Sequence, residues 1–176
     1  MALSLYEATV PQFLQILPGV MANLDRAEAW AKERGLSDAE ILGKRLAPDM
    51  HPLASQFRWA AQHSAGAIRS VFAGIIRPDQ TPPPEDFATL RGILTDALSY
   101  VQGVDANALE AVRDKEVNLE YAGAVRLRFS GTGCLVSFAL PNFYFHTSMA
   151  YAILRNLGLE IGKADFIGAV QTKQIA

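Results

Sequence analysis

The chain has 176 residues, half of them hydrophobic and 19% charged, which excludes a disordered polymer and allows one sizeable core. Its 16 basic and 18 acidic side chains nearly balance, at a net charge of -2. No basic stripe is present to neutralise phosphates, so no nucleic-acid partner is expected.

Cys134 is the one cysteine, which rules out an internal disulfide and fits a reducing compartment. The segment from Met1 to Glu7 has neither a basic nor an apolar leader region, so no signal peptide is expected. Apolar runs elsewhere are broken by proline, asparagine, histidine or charge well short of a membrane span. These features predict a soluble cytoplasmic protein with no membrane partner.

Val10, Phe13, Leu14, Leu17, Met21, Leu24, Ala27, Trp30 and Ala31 recur at helical spacing. Pro18 falls inside this first helix and predicts a kink, because proline has no N–H and crowds the preceding turn. Gly35 ends it. Ser37 and Glu40 have capping-box spacing and start a short connecting helix. A second long helix begins at Pro52, buries Leu53, Phe57, Ala60, Ala67, Ile68, Val71 and Phe72, and exits at Gly74 and Pro78. Residues 78–84 hold four of the nine prolines. They form a stiff connector, not a domain linker, so a single domain over 1–176 is expected.

The third helix covers about 85–102, with Phe87, Leu90, Ile93, Leu94, Ala97, Leu98 and Val101 on its apolar face. Glu85 and Asp86 suit its positive end. The period then changes to two. Val117, Leu119 and Tyr121, then Val125, Leu127 and Phe129, alternate with polar residues as in a β-hairpin. A three-residue turn at Ala122, Gly123 and Ala124 would set Glu120 opposite Arg126. Two strands alone are marginal, so one face must pack on helices. The fourth helix spans about 132–158, with Thr132 as N-cap, Pro141 as an interruption and Gly158 as C-cap. The tail, 159–176, has little periodicity and is expected to wrap the surface. The whole reads as a mainly α, up-and-down four-helix bundle with a small β-hairpin before the last helix.

No nucleophile elbow, P-loop, dinucleotide fingerprint or H-E-x-x-H motif is present. Chemistry therefore rests on three histidines. His51 and His63 are twelve residues apart. If both lay on one helix they would be roughly 18 Å apart, too far to share an ion. His51, just before Pro52, reads as a cap or surface residue. Asn142 and His146 are four apart on the most apolar helix and share a face that Met149 and Ile153 continue, so the pair points inward. Such a pair can present two metal ligands, although asparagine is a poor one for zinc. It can equally satisfy carbonyls left free by Pro141. His63 sits beside Ala60 and Ala67, whose small side chains give an imidazole room or suit close helix packing.

Ser130, Gly131, Thr132 and Gly133 read as a strand-to-helix turn before they read as an anion site. Cys134 sits early in a helix, but Leu135 and Val136 beside it suggest an inert packed thiol. Arg45 and Asp49 belong to a polar turn before the second helix, where Asp49 is expected as a cap.

The segments Arg45-Leu46-Ala47-Pro48-Asp49-Met50, Leu140-Pro141-Asn142-Phe143-Tyr144-Phe145-His146, Ala150-Tyr151-Ala152-Ile153-Leu154-Arg155 and Gly162-Lys163-Ala164-Asp165-Phe166 resemble an uncharacterised branch of the DinB/YfiT-like superfamily. The resemblance spans nearly the whole chain and implies a four-helix bundle, often a homodimer. It also implies kinship with metalloenzymes that bind zinc or nickel through one histidine on the second helix and an H-x-x-x-H pair on the last. By that resemblance His63 matches the helix-two ligand and His146 the second histidine of the pair, while Asn142 stands where the first would be. Two functions follow as expectations. One is a bundle protein with a degenerate metal site that binds a small molecule or serves as a dimeric structural module. The other is a divalent-metal-dependent hydrolase or thiol-dependent transferase acting through His63 and His146.

Overall fold

The computed structural model describes residues 3–170. The first helix, α1 (Leu5–Glu33), opens on a capping box in which Ser4 Oγ accepts from Glu7 N–H and Glu7 accepts from Ser4 N–H. It runs through Pro11 and Pro18 without a break. Ser37 and Glu40 repeat the capping box at α2 (Asp38–Leu42).

The second long helix has three parts. They are α3 (Leu53–Ala61), a π-helical turn (Gln62–Gly66) and α4 (Ala67–Ala73), ended by left-handed Gly74. A two-residue strand, β1 (Ile75–Ile76), leads into the proline-rich connector. Asp86 then caps α5 (Phe87–Gln102) by accepting from Thr89 N–H. A short α6 (Ala106–Ala111) precedes β2 (Glu116–Tyr121) and β3 (Ala124–Ser130). A second π segment (Gly133–Ala139) continues directly into α7 (Leu140–Leu157), which Gly158 ends with a left-handed φ. The chain closes with α8 (Lys163–Ile167).

The expected helical bundle is present. α1 packs on α5 and α7, and α3 packs on the same two, so the four long helices close a ring around one apolar core. Phe13, Phe57, Phe87 and Phe143 are fully buried there, and Phe13 meets Phe143 edge to face at 5.0 Å. Burying each such ring contributes about 1.5–3 kcal/mol.

Several local expectations are corrected. The hairpin turn has two residues, Ala122 and Gly123, both at positive φ, the backbone that matches the twist of paired strands. That turn sets Glu120 opposite Val125 and not Arg126, and an irregularity between Leu119 and Glu120 then skips Arg126 and restores the expected register from Leu119 opposite Leu127. Glu120 instead pairs with Arg77. β1 adds a parallel third strand beside β2, a pairing too short to be visible in a sequence period. Pro141 does not interrupt the last helix. It follows a wide turn in which Leu140 N–H reaches back to Leu135 O, and the helix resumes around it. Ser130 Oγ, not Thr132, accepts from Gly133 N–H, and Thr132 donates to Arg113 O. The helix after Pro52 has no side-chain cap, so Asp49 does not cap it.

The tail is more ordered than expected up to residue 170, and 171–176 lie outside the described residues. α8 lies on α1, where a Cβ at Gly19 would come within 2.7 Å of Asp165 O. Only glycine permits that approach. Among the described residues no helix is long and apolar enough to cross a membrane.

Candidate functional site

A cavity of about 350 Å³ opens between the second and last helices, under the sheet and the connector. Its position follows from the two π turns. A π turn carries an extra residue, widens the helix and breaks the regular alignment of its faces, and such turns are frequent at functional sites. The first holds Gln62 and His63; the second holds Phe138, one turn before Asn142. Serines support both: Ser64 Oγ donates to Ala60 O and Ser137 Oγ to Gly133 O.

His63, Asn142 and His146 all line this cavity, as the inward-pointing pair predicted. The His63 and His146 ring centroids are 5.3 Å apart, with planes within 13° of parallel. A metal ion lies in the plane of each imidazole that binds it, and two stacked rings this close to parallel do not aim their lone pairs at one point without turning. His146 is 8% exposed, and its Nδ1 lies 2.8 Å from Gln56 Oε1. Gln56 Nε2 donates to His51 O, which turns the amide oxygen toward His146 and makes Nδ1 the donor. The bare nitrogen of His146 is therefore Nε2. Asn142 Nδ2 donates to Phe138 O at 2.8 Å, which leaves Oδ1 as the free side of that amide. The amide thus does satisfy a helix carbonyl while still facing the cavity.

Burial pushes the His63 imidazole down to about 4. Burial, and then the neighbouring His63 and His51, push His146 down to about 3. Both rings are neutral near pH 7, and each carries a lone pair. Among the described residues no three histidine, cysteine, aspartate or glutamate side chains gather closely enough to hold a metal ion.

His51 is exposed, as expected of a surface residue, but it is not on the helix that carries His63. The distance argument from a shared helix therefore does not apply. The residue lines the cavity with its ring centroid 4.4 Å from that of Trp59, in an edge-to-face contact, and the Trp59 centroid lies 4.7 Å from that of His146. Trp59, Phe138, Ile76 and Leu119 supply the apolar wall. Parallel pairing of β1 with β2 sets Ile76 beside Leu119. Asp79, from the connector, completes the rim. Thr81 N–H and Oγ–H donate to its carboxylate and hold it below the usual carboxylate range.

Gln56, Trp59 and Asp79 are absent from the sequence-based candidates. The first two had a signal, since Gln56, Trp59 and His63 recur three and four residues apart on one helix face. Asp79 had none, being placed by tertiary contacts alone. Arg45, Asp49 and Cys134 do not line the cavity. Cys134 is buried, and burial raises its thiol to about 11, so it is the inert thiol expected.

No curated protein matches the chain. Among solved structures it is similar to a DinB family member protein from Shewanella denitrificans, at 28% identity and a TM-score of 0.79. That likeness covers 97% of this chain and 96% of the other. The model of the family described as domain of unknown function DUF1993 matches residues 5–167, and a match over that length, joined to a DinB-like bundle, means that the chain belongs to this family.

Proposed function

We propose that the chain binds a small organic molecule in the His63–His146 cavity, where a degenerate metal site has become a polar pocket. One observation carries this reading: a cavity of ligand size, about 350 Å³, joins apolar walls to a few convergent polar atoms. His63, His146 Nε2 and Asn142 Oδ1 are those atoms. A thermal-shift screen of a fragment library tests the reading. Hits should raise the wild-type Tm and lose their effect in Ala67→Phe, which fills the cavity and whose fold circular dichroism checks. A blank screen of the wild type overturns it.

A second reading, a divalent-metal-dependent hydrolase or thiol transferase, draws on the meeting of His63 and His146 in one cavity and on Gln56, which orients His146 as an outer-shell partner would. His63 and His146 would hold zinc or nickel, with Asn142 Oδ1 as third donor. A bound ion would lower the pKa of a water or thiol and make it a nucleophile. Two imidazoles and one amide oxygen are a weak donor set for zinc or nickel, which places this reading second. Elemental analysis of protein purified without a histidine tag decides between the two. Stoichiometric metal, native or after reloading, favours the metalloenzyme.

The homodimer that the resemblance implies is also a proposal. Leu127 and Phe145, 49% and 52% exposed, are apolar side chains that a second copy would cover. Light scattering that returns the mass of one chain at working concentration would remove it.

A further inference from the structure

We propose that the ligand of this cavity is an organic cation, an ammonium or amidinium on a compact apolar body. The inference rests on the small-molecule reading above and names its substrate class.

The cavity atoms whose direction a protein partner fixes accept hydrogen bonds, while Gln62, Trp59 and the neutral His63 ring also bring N–H donors to the lining. Gln56 engages His146 Nδ1–H, so the neutral ring offers Nε2. Phe138 O engages the Asn142 NH₂, so that side chain offers Oδ1. Asp79 adds a carboxylate, of which Thr81 uses Oδ1 while Oδ2 stands 3.6 Å from Arg58. A carboxylate has about four acceptor positions, so some remain for a ligand.

No lysine or arginine lines the cavity among the described residues. The cations nearby are engaged by the protein. Arg58 donates to Thr81 O and Pro82 O and pairs with Asp79 at 3.6 Å, and Lys115 donates to Phe72 O. A phosphate or carboxylate against these three groups would set its lone pairs against those of His146, Asn142 and Asp79, and no lysine or arginine among the described residues lines the cavity to offset that. An N–H cation meets the opposite situation. It donates to each of these atoms, and the Trp59 and Phe138 rings give its apolar body a wall and its charge a π face.

Trp30 and Trp59 are the two tryptophans, so Trp30→Phe leaves Trp59, on the cavity wall, as the fluorescence reporter. Four probes built on one ring are titrated into that variant: benzylammonium, benzamidinium, benzyl alcohol and benzoate. The two cations should saturate the Trp59 signal and bind about tenfold more tightly than benzyl alcohol, with no saturation by benzoate. Asp79→Asn should weaken the cations about fivefold and leave benzyl alcohol unchanged. Benzoate or benzyl alcohol binding as tightly as the cations overturns the ligand class and leaves the pocket reading standing. So does cation binding that ignores Asp79→Asn. Silence from all four probes also overturns the class, and only a blank library screen beside it overturns the pocket.

Discussion

Two hollows lie back to back on the second long helix, sharing a wall made by Gln62 and Asp79, and they treat charge in opposite ways. The neighbouring groove, about 250 Å³, holds Arg58 and Arg69 together with Asp79 and Asp96. Its cations are held at their tips. Arg58 is tied to Thr81 and Pro82, and the Arg69 guanidinium lies 4.0 Å over the Tyr100 ring. The histidine cavity has no such closure: two imidazole nitrogens and an amide oxygen stand open within it. Polarity by itself therefore does not separate the two hollows. They differ in sign: the groove is lined by arginine donors, one of them the buried and unpartnered Arg58 Nε, whereas the cavity has no lysine or arginine in its lining among the described residues.

Acid should separate the two hollows most strongly. Above pH 6.5 the imidazoles are neutral in both folded and unfolded chains. Below it the unfolded chain takes up protons, while folded His63 and His146 stay bare until about 4 and about 3. Stability therefore falls as pH falls, by about 3 kcal/mol for each imidazole by pH 4. Urea unfolding at about pH 7 and about pH 4.5 reads this difference, and a His63→Leu/His146→Leu variant should flatten it. An unchanged slope would mean that the rings are hydrated.

The shared wall comes next. Arg58 is 8% exposed and holds the connector by bonds to Thr81 O, Thr81 Oγ1 and Pro82 O. Arg58→Ala should cost about 2–3 kcal/mol in urea unfolding and make the connector sensitive to limited proteolysis. A smaller step is Gln56→Leu. It leaves His146 Nδ1–H and His51 O without their partner and should cost about 1–2 kcal/mol. The same change should broaden the His146 ring signals in NMR, because no single tautomer is held. The smallest effect is expected outside both hollows. Arg77 and Glu120 pair on the exposed side of the sheet, and Glu120→Ala should change stability by less than about 0.5 kcal/mol.

The long helices and their ends were legible because they are local. Val10, Phe13, Leu17 and Leu24 recur at helical spacing and are all buried, and the Ser37–Glu40 box and Gly158 stand where capping chemistry requires them. The i, i+4 pair Asn142–His146 was legible for the same reason, whereas His63 was joined to it only by the family resemblance, and the cavity lies where the three meet. The hairpin was read in the right place with the wrong turn, since the two-residue turn and the irregularity at Leu119 depend on strand twist and packing.

By itself, then, the order of residues determined which faces of which helices are apolar, where those helices begin and end, and which polar side chains point inward. Only the tertiary structure decided that Gln56 faces His146, that His51 returns to the same cavity through Trp59, and that Asp79 closes its rim. The physical reason is range. A helical repeat is set by neighbours within four residues, whereas the Gln56–His146 contact joins positions 90 apart and exists only once the core between their helices has closed.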